Sequence, residues 1–163
     1  MTLAADLVAE LTRRRLTIAV AESLTGGALV SELVSVPGAS AVVRGGVVAY
    51  QTELKHSLLG VDAGLLARHG PVHPDVAASM ATGARERLAI DGKSADIGLA
   101  TTGVAGPDPQ GGHDPGTVFV GLAVPGGVRV VSLSLTGDRQ AIRNATVSES
   151  LAVLDRWLVE TRE

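Results

Sequence analysis

Ser23 stands in Ala21-Glu22-Ser23-Leu24-Thr25-Gly26-Gly27, where an apolar run gives way to two glycines. At a strand-to-helix junction, position alone favours the N-cap role, the commonest use of serine at a helix start. The capping-box partner three residues on is Gly26 rather than Glu or Gln, so that reading lacks its second half. The other use is chemical. In an open α/β sheet ligands bind beyond the carboxyl ends of strands. There the N–H groups of Thr25, Gly26 and Gly27 would be helix-start donors for a phosphate or an oxyanion. Of the 14 Lys+Arg residues only Lys55 and Lys93 are lysine. Arg cannot lose its proton at neutral pH, whereas a buried Lys can. Lys55, in Tyr50-Gln51-Thr52-Glu53-Leu54-Lys55, is therefore a candidate titrating base, although an exposed helix lysine would look the same. Lys93 lies in Asp91-Gly92-Lys93-Ser94 and reads as a surface turn. Thr52 and Lys55 also form a T-x-x-K pair, but the S-x-x-K enzymes need serine at the first position.

Two further segments carry ligand-facing chemistry. Thr101-Thr102-Gly103-Val104-Ala105-Gly106-Pro107 is a strand running into a glycine-rich turn, where backbone N–H groups can meet an anion. In Thr136-Gly137-Asp138-Arg139, Asp138 caps a helix whose Arg139 and Arg143 share one face. Those two arginines could grip a phosphate or simply be solvated.

The elements that must position these residues follow from periodicity. Leu3, Leu7, Val8 and Leu11 after Thr2 predict an amphipathic helix over 3–15, with Arg13, Arg14 and Arg15 complementing the dipole of its last turn. Residues 16–21 read as a buried strand and 25–36 as a helix broken by Pro37-Gly38. Residues 42–50, interrupted by Gly45-Gly46, read as a bulged strand. Helices follow at 51–59, 62–69 and 75–89, the last lined by Val76, Met80 and Ala84. Residues 95–102 and 116–124 read as strands flanking a Gly/Pro loop at 103–115, and the turn Pro125-Gly126-Gly127 leads into a hairpin partner at 128–135. Residues 138–159 form the last helix, with Ile142, Ala145, Leu151, Leu154 and Leu158 as its core positions. The order α-β-α-β-α-α-α-β-β-β-α predicts one domain over 1–163, a three-layer α/β/α sandwich with a mixed sheet.

Composition removes several classes of function. The chain has 163 residues, 45% of them apolar, and no cysteine, which excludes disulfide scaffolds, thiol catalysis and Cys-type zinc sites. Net charge is −3, and the aromatics are Tyr50, Phe119 and Trp157 alone, so neither phosphate attraction nor base stacking supports a nucleic-acid partner. No apolar run approaches membrane-spanning length, and Asp6 and Glu10 in the first helix do not fit a secretory signal. A soluble, cytoplasmic protein is expected. No P-loop, G-x-G-x-x-G or G-x-S-x-G occurs. His69 and His73 are separated by Gly70-Pro71 and cannot share a helical face, and His113-Asp114 reads as a solvated turn, so no metal site is expected.

Taken together, the ordered segments AES-x-TGG (21–27), PGAS (37–40), G-x-V-x-Y…K (46–55), TGVAGPD (102–108), P-x-GTV-F-x-G (115–121) and GDR (137–139) resemble the C-terminal domain of the competence/damage-inducible protein CinA. That family comprises nicotinamide mononucleotide (NMN) amidohydrolases, and the likeness extends over nearly the whole chain. The resemblance implies the stand-alone form and a Ser–Lys amidase without metal or organic cofactor. Ser23 would be its nucleophile, Lys55 its general base, and Tyr50 a residue that orients the base or lines the pocket. It further implies oxyanion or substrate contacts from Thr25, Gly26, Gly27, Thr102, Gly103, Ala105, Gly106 and Arg139, with NMN as small-molecule partner and a homo-oligomeric assembly. Departures occur where the family commonly reads Y-S-N-E-x-K and this chain has Gln51-Thr52. Gly70-Pro71-Val72-His73 likewise replaces G-A-V-S, and residues 109–113 differ.

Overall fold

Successive side chains of a strand point to opposite faces, so Ile18-Ala19-Val20-Ala21 puts bulk on one side of its sheet and methyl groups on the other. The structure, a computed structural model describing residues 1–162, is organised around that inequality. Five strands, β1 (Ile18–Glu22), β2 (Val43–Val48), β3 (Ile97–Gly103), β4 (Thr117–Val124) and β5 (Gly127–Ser134), form one mixed sheet of order β2-β1-β3-β4-β5. β1 runs parallel to both β2 and β3, while β3, β4 and β5 are antiparallel neighbours. The expected bulge is present: Ile18 pairs with Val43 and Ala19 with Gly45, leaving Arg44 as the extra residue.

The bulky face meets α1 (Leu3–Arg14), α2 (Ala28–Val34) and α6 (Arg139–Glu160). Ile18, Val20, Leu99, Val120 and Leu122 pack there against Leu7, Leu11, Leu29, Leu33, Ile142 and Leu154. The small face, with Ala19, Ala21, Ala100 and Ala123, meets α5 (Pro74–Arg87) through Val76, Met80, Ala81 and Ala84, flanked by α3 (Thr52–Leu59) and α4 (Ala63–His69). Helix α5 lies so close that a Cβ on Gly98 would stand 2.0 Å from the Ala81 carbonyl oxygen. One on Gly121 would stand 2.3 Å from that of Ala77. Glycine is required at both places because backbone touches backbone.

Helix ends follow the sequence signals in three places. Thr2, Asp62 and Asp138 accept from Ala5 N (3.2 Å), Gly64 N (2.8 Å) and Ala141 N (2.8 Å) at the starts of α1, α4 and α6. Arg14 reaches beyond its own helix and donates to the Leu158 carbonyl at 2.6 Å, capping the far end of α6. Two expectations are corrected. Helix α2 begins at Ala28 rather than Thr25, because Gly26 (φ +60°) and Gly27 (φ +101°) hold left-handed backbone that a helix cannot include. Within α6, Ala145 is half-buried, and Thr146 and Ser150 complete the buried stripe by donating to the carbonyls four residues back.

Candidate active site

The carboxyl ends of the parallel strands β1 and β3 bring the singled-out segments together. A cleft of about 230 Å³ opens there, lined by Ser23, Leu24, Tyr50, Lys55 and Arg139, the 102–106 turn, Pro71 and Val72. Ser23 is the first residue after β1, and its N–H donates to the Thr101 carbonyl at 3.1 Å, which extends the β1–β3 pairing to the candidate nucleophile.

Lys55 is 1% exposed although it lies in the second turn of α3. Its Nζ lies 3.1 Å from Ser23 Oγ, 2.7 Å from the Ala49 carbonyl oxygen and 3.4 Å from that of Tyr50. Both carbonyls can only accept. A neutral amine has two N–H donors and one lone pair. With its donors given to the two carbonyls, its lone pair has only the Ser23 hydroxyl to accept from. Burial pushes the Lys55 ammonium down to about 8, a fall that the nearby Glu53 charge partly opposes. At pH 7 about one molecule in ten then carries the free amine, against about one in three thousand for an unperturbed lysine. Lys93, the other lysine, is exposed.

The turn after Ser23 is built differently from expectation. The Glu22 carboxylate, wholly buried, occupies the N-terminus of α2. It accepts from Gly27 N (3.2 Å), Leu29 N (2.9 Å) and Val30 N (3.0 Å). Ser23 is therefore not the cap, and the helix end foreseen as an anion site already holds the chain's own anion. Gly26 N–H donates to the Ser23 carbonyl at 3.1 Å. The N–H groups of Gly26 and Gly27 are thus already paired within the chain. The Thr25 hydroxyl is buried 2.8 Å from that of Thr101. Among the described residues, the N–H groups of Leu24, Thr25, Ala105 and Gly106 have no protein acceptor, and three of those four residues line the cleft.

The remaining candidates fall at the rim. Tyr50 reaches Lys55 through its carbonyl; its phenol oxygen instead accepts from Arg139 Nη2 at 3.1 Å. Arg139 Nη1 donates to the Gly106 carbonyl at 2.6 Å, tying α6 to the glycine turn. The Thr102 hydroxyl donates to the Pro71 carbonyl at 2.6 Å and so anchors the cleft-lining segment before α5. Arg143 points elsewhere, to the carbonyls of Leu24 (2.9 Å) and Thr25 (3.2 Å). It does not share a ligand site with Arg139. The His69 and His73 rings stack 4.3 Å apart, and among the described residues no three His, Asp or Glu side chains converge as metal ligands. Sequence reasoning missed Glu22 and the polar cleft residues Asp108 and Gln110, whereas Gln51 and Thr52, singled out as departures from the family pattern, do line the cleft. An acid placed directly before Ser-x-x-Gly-Gly was the available signal for Glu22.

Residues 1–158 match the family model described as the CinA C-terminal domain. A CinA-like protein from Frankia casuarinae is 52% identical over 148 residues, which cover 91% of this chain and 33% of that protein. The chain spans about a third of the length of the curated relatives it matches. Among solved structures, a CinA superfamily protein from Klebsiella pneumoniae superposes with a TM-score of 0.91 at 30% identity, covering 97% of this chain and 96% of that one. A competence/damage-inducible protein from Agrobacterium tumefaciens gives 0.87 at 32% identity, covering 94% and 92%. No described helix is long and apolar enough to cross a membrane.

Proposed function

The chain belongs to the CinA C-terminal domain family, and on that premise we propose that it hydrolyses the carboxamide of NMN to nicotinate mononucleotide and ammonia. The observation that carries the reading is the buried contact between Lys55 Nζ and Ser23 Oγ at 3.1 Å, with the ammonium pushed down to about 8. A lysine that is part neutral at working pH can act as a general base, a role typically worth about 10²–10⁴ in rate.

In the first step Ser23 Oγ bonds to the carboxamide carbon while its proton passes to Lys55 Nζ. The carbonyl oxygen becomes an oxyanion, for which the free N–H groups of Leu24, Ala105 and Gly106 are the candidate donors. Collapse breaks the C–N bond, and Lys55 returns the proton to the departing ammonia. Water, deprotonated by Lys55, then cleaves the nicotinoyl ester and regenerates Ser23. Arg139, held between Tyr50 and Gly106, is the candidate for the phosphate. The Gly103–Gly106 turn is the candidate for the ribose. No cofactor enters this scheme.

Purified protein incubated with NMN should release ammonia, and the Ser23→Ala variant should not. Release no greater than that of the variant rejects NMN as substrate. A second reading, a Ser–Lys amidase for another small carboxamide, draws on Gln51 and Thr52, which depart from the family pattern and line the cleft. Ammonia from other aromatic amides but not from NMN would favour it.

A further inference from the structure

Arg143 lies on α6, five residues from the Asp138 cap and 119 residues from the segment it touches. Its guanidinium spans two consecutive carbonyls of the turn after Ser23, with Nε 2.9 Å from Leu24 O and Nη2 3.2 Å from Thr25 O. Nη1 lies 3.2 Å from Gln140 Oε1. Among the described residues, no carboxylate is paired with it. A half-buried cation spent on main-chain oxygens is not solving a charge problem of its own. It is holding the turn.

What it holds follows from peptide geometry. The peptides of this turn are trans, so each N–H points opposite to the carbonyl that precedes it. Fixing Leu24 O fixes the direction of Thr25 N–H. Fixing Thr25 O, which Ala28 N–H also meets at 3.0 Å, fixes Gly26 N–H. Gly26 N–H donates in turn to Ser23 O, and that bond sets Leu24 N–H. Three successive peptide planes are thereby locked in series. The two N–H groups left without an acceptor, those of Leu24 and Thr25, directly follow the nucleophile. The turn is neither helix nor strand, so it has no ladder of its own to keep those planes in place.

We propose that Arg143 is a positioning residue, clamping the Leu24 and Thr25 carbonyls so that the Leu24 N–H, directly after Ser23 and in the cleft lining, stays aligned as an oxyanion donor. This rests on Ser23 being the nucleophile, not on which amide is the substrate. An alkyl fluorophosphonate tests it independently of NMN. Ser23 Oγ bonds to phosphorus, the P–F bond breaks, fluoride leaves with its electron pair, and the hydroxyl proton passes to Lys55. Negative charge builds on the phosphoryl oxygen, as it does on an amide oxygen.

The rate constant for Ser23 modification is followed by intact mass across pH for the unaltered protein, Arg143→Ala and Arg143→Lys. The expected result is a limiting rate lowered roughly 10- to 100-fold in Arg143→Ala, the loss that misaligned oxyanion donors would give. The pH midpoint stays where the unaltered protein has it, and added methylguanidinium restores part of the rate. Arg143→Lys, which reaches only one carbonyl, falls between. An Arg143→Ala protein reacting at the unaltered rate overturns the proposal, as does a slower one whose pH midpoint has moved, since the residue would then act through Lys55. If Arg143→Ala does not fold, Arg143→Lys decides alone, and full reactivity overturns. Ammonia release from NMN is measured in parallel. Normal phosphonylation without ammonia rejects the substrate assignment and leaves this inference standing; an unreactive Ser23 in the unaltered protein overturns the inference.

Discussion

A lysine that is 1% exposed must lose either its charge or its water. Lys55 gives up part of each, and two measurements report it. If Lys55 is the base, kcat/KM rises with pH through a group near 8 and then levels, and Lys55→Met is inactive. Stability reports the same burial with a definite sign. Below pH 8 both folded and unfolded chains hold the proton, and the folded one bears the full cost of burying it. Between about 8 and 10.5 the unfolded chain binds more protons, so stability rises with pH. Urea unfolding at pH 7 and at pH 9.5 should show that rise in the unaltered protein. Lys55→Met should lack it and be the more stable protein at pH 7. Ser23 and Lys55 were legible in the sequence because their side-chain types are what the proposed chemistry requires. Glu22 and Arg143 were not, because both serve main-chain groups, which any residue offers and no motif marks.

Most elements could be read from periodicity, since burial of one face leaves its spacing in the chain. The start of α2 could not: Thr25 to Val36 has helical patterning throughout, and only the left-handed backbone at Gly26 and Gly27 delays the helix. Nor could the neighbours of β1. Its pairing with the later strand β3 is decided by which faces pack, not by adjacency in sequence. The contact of α5 with the sheet yields the prediction proper to this scale. Gly121→Ala puts a methyl group 2.3 Å from a helix carbonyl. It should lower unfolding free energy by about 1–3 kcal/mol, the usual range for overpacking, as read from the urea midpoint. A variant of unchanged midpoint would show that α5 can retreat from the sheet.

For the whole molecule, the site is a meeting of distant segments: the end of β1, α3, the turn after β3 and the start of α6. Arg139, at the start of α6, is tied to the turn after β3 through Gly106 and to the segment leading into α3 through Tyr50. If it reads the phosphate, Arg139→Ala should raise KM for NMN at least about tenfold with a much smaller change in kcat, the signature of lost uniform binding. The corresponding nucleoside, which has no phosphate, should discriminate little between the two proteins. An equal loss on both substrates would instead make Arg139 a strut for the glycine turn. The paucity of aromatic residues also takes on meaning at this scale: Phe119, Trp157 and Tyr50 all lie outside the fully buried core.

The sheet's two unlike faces set how freely the sequence can drift. Toward α1, α2 and α6, branched side chains meet branched side chains, and Val, Ile and Leu can trade places while total volume is kept. Toward α5 the strands themselves have little side-chain volume to trade, because Ala19, Ala21, Ala100 and Ala123 carry only methyl groups and Gly98 and Gly121 meet main-chain oxygens. In a saturation library selected for folding, the first face should return many solutions. The second should return little besides glycine and alanine, however the rest of the chain is varied.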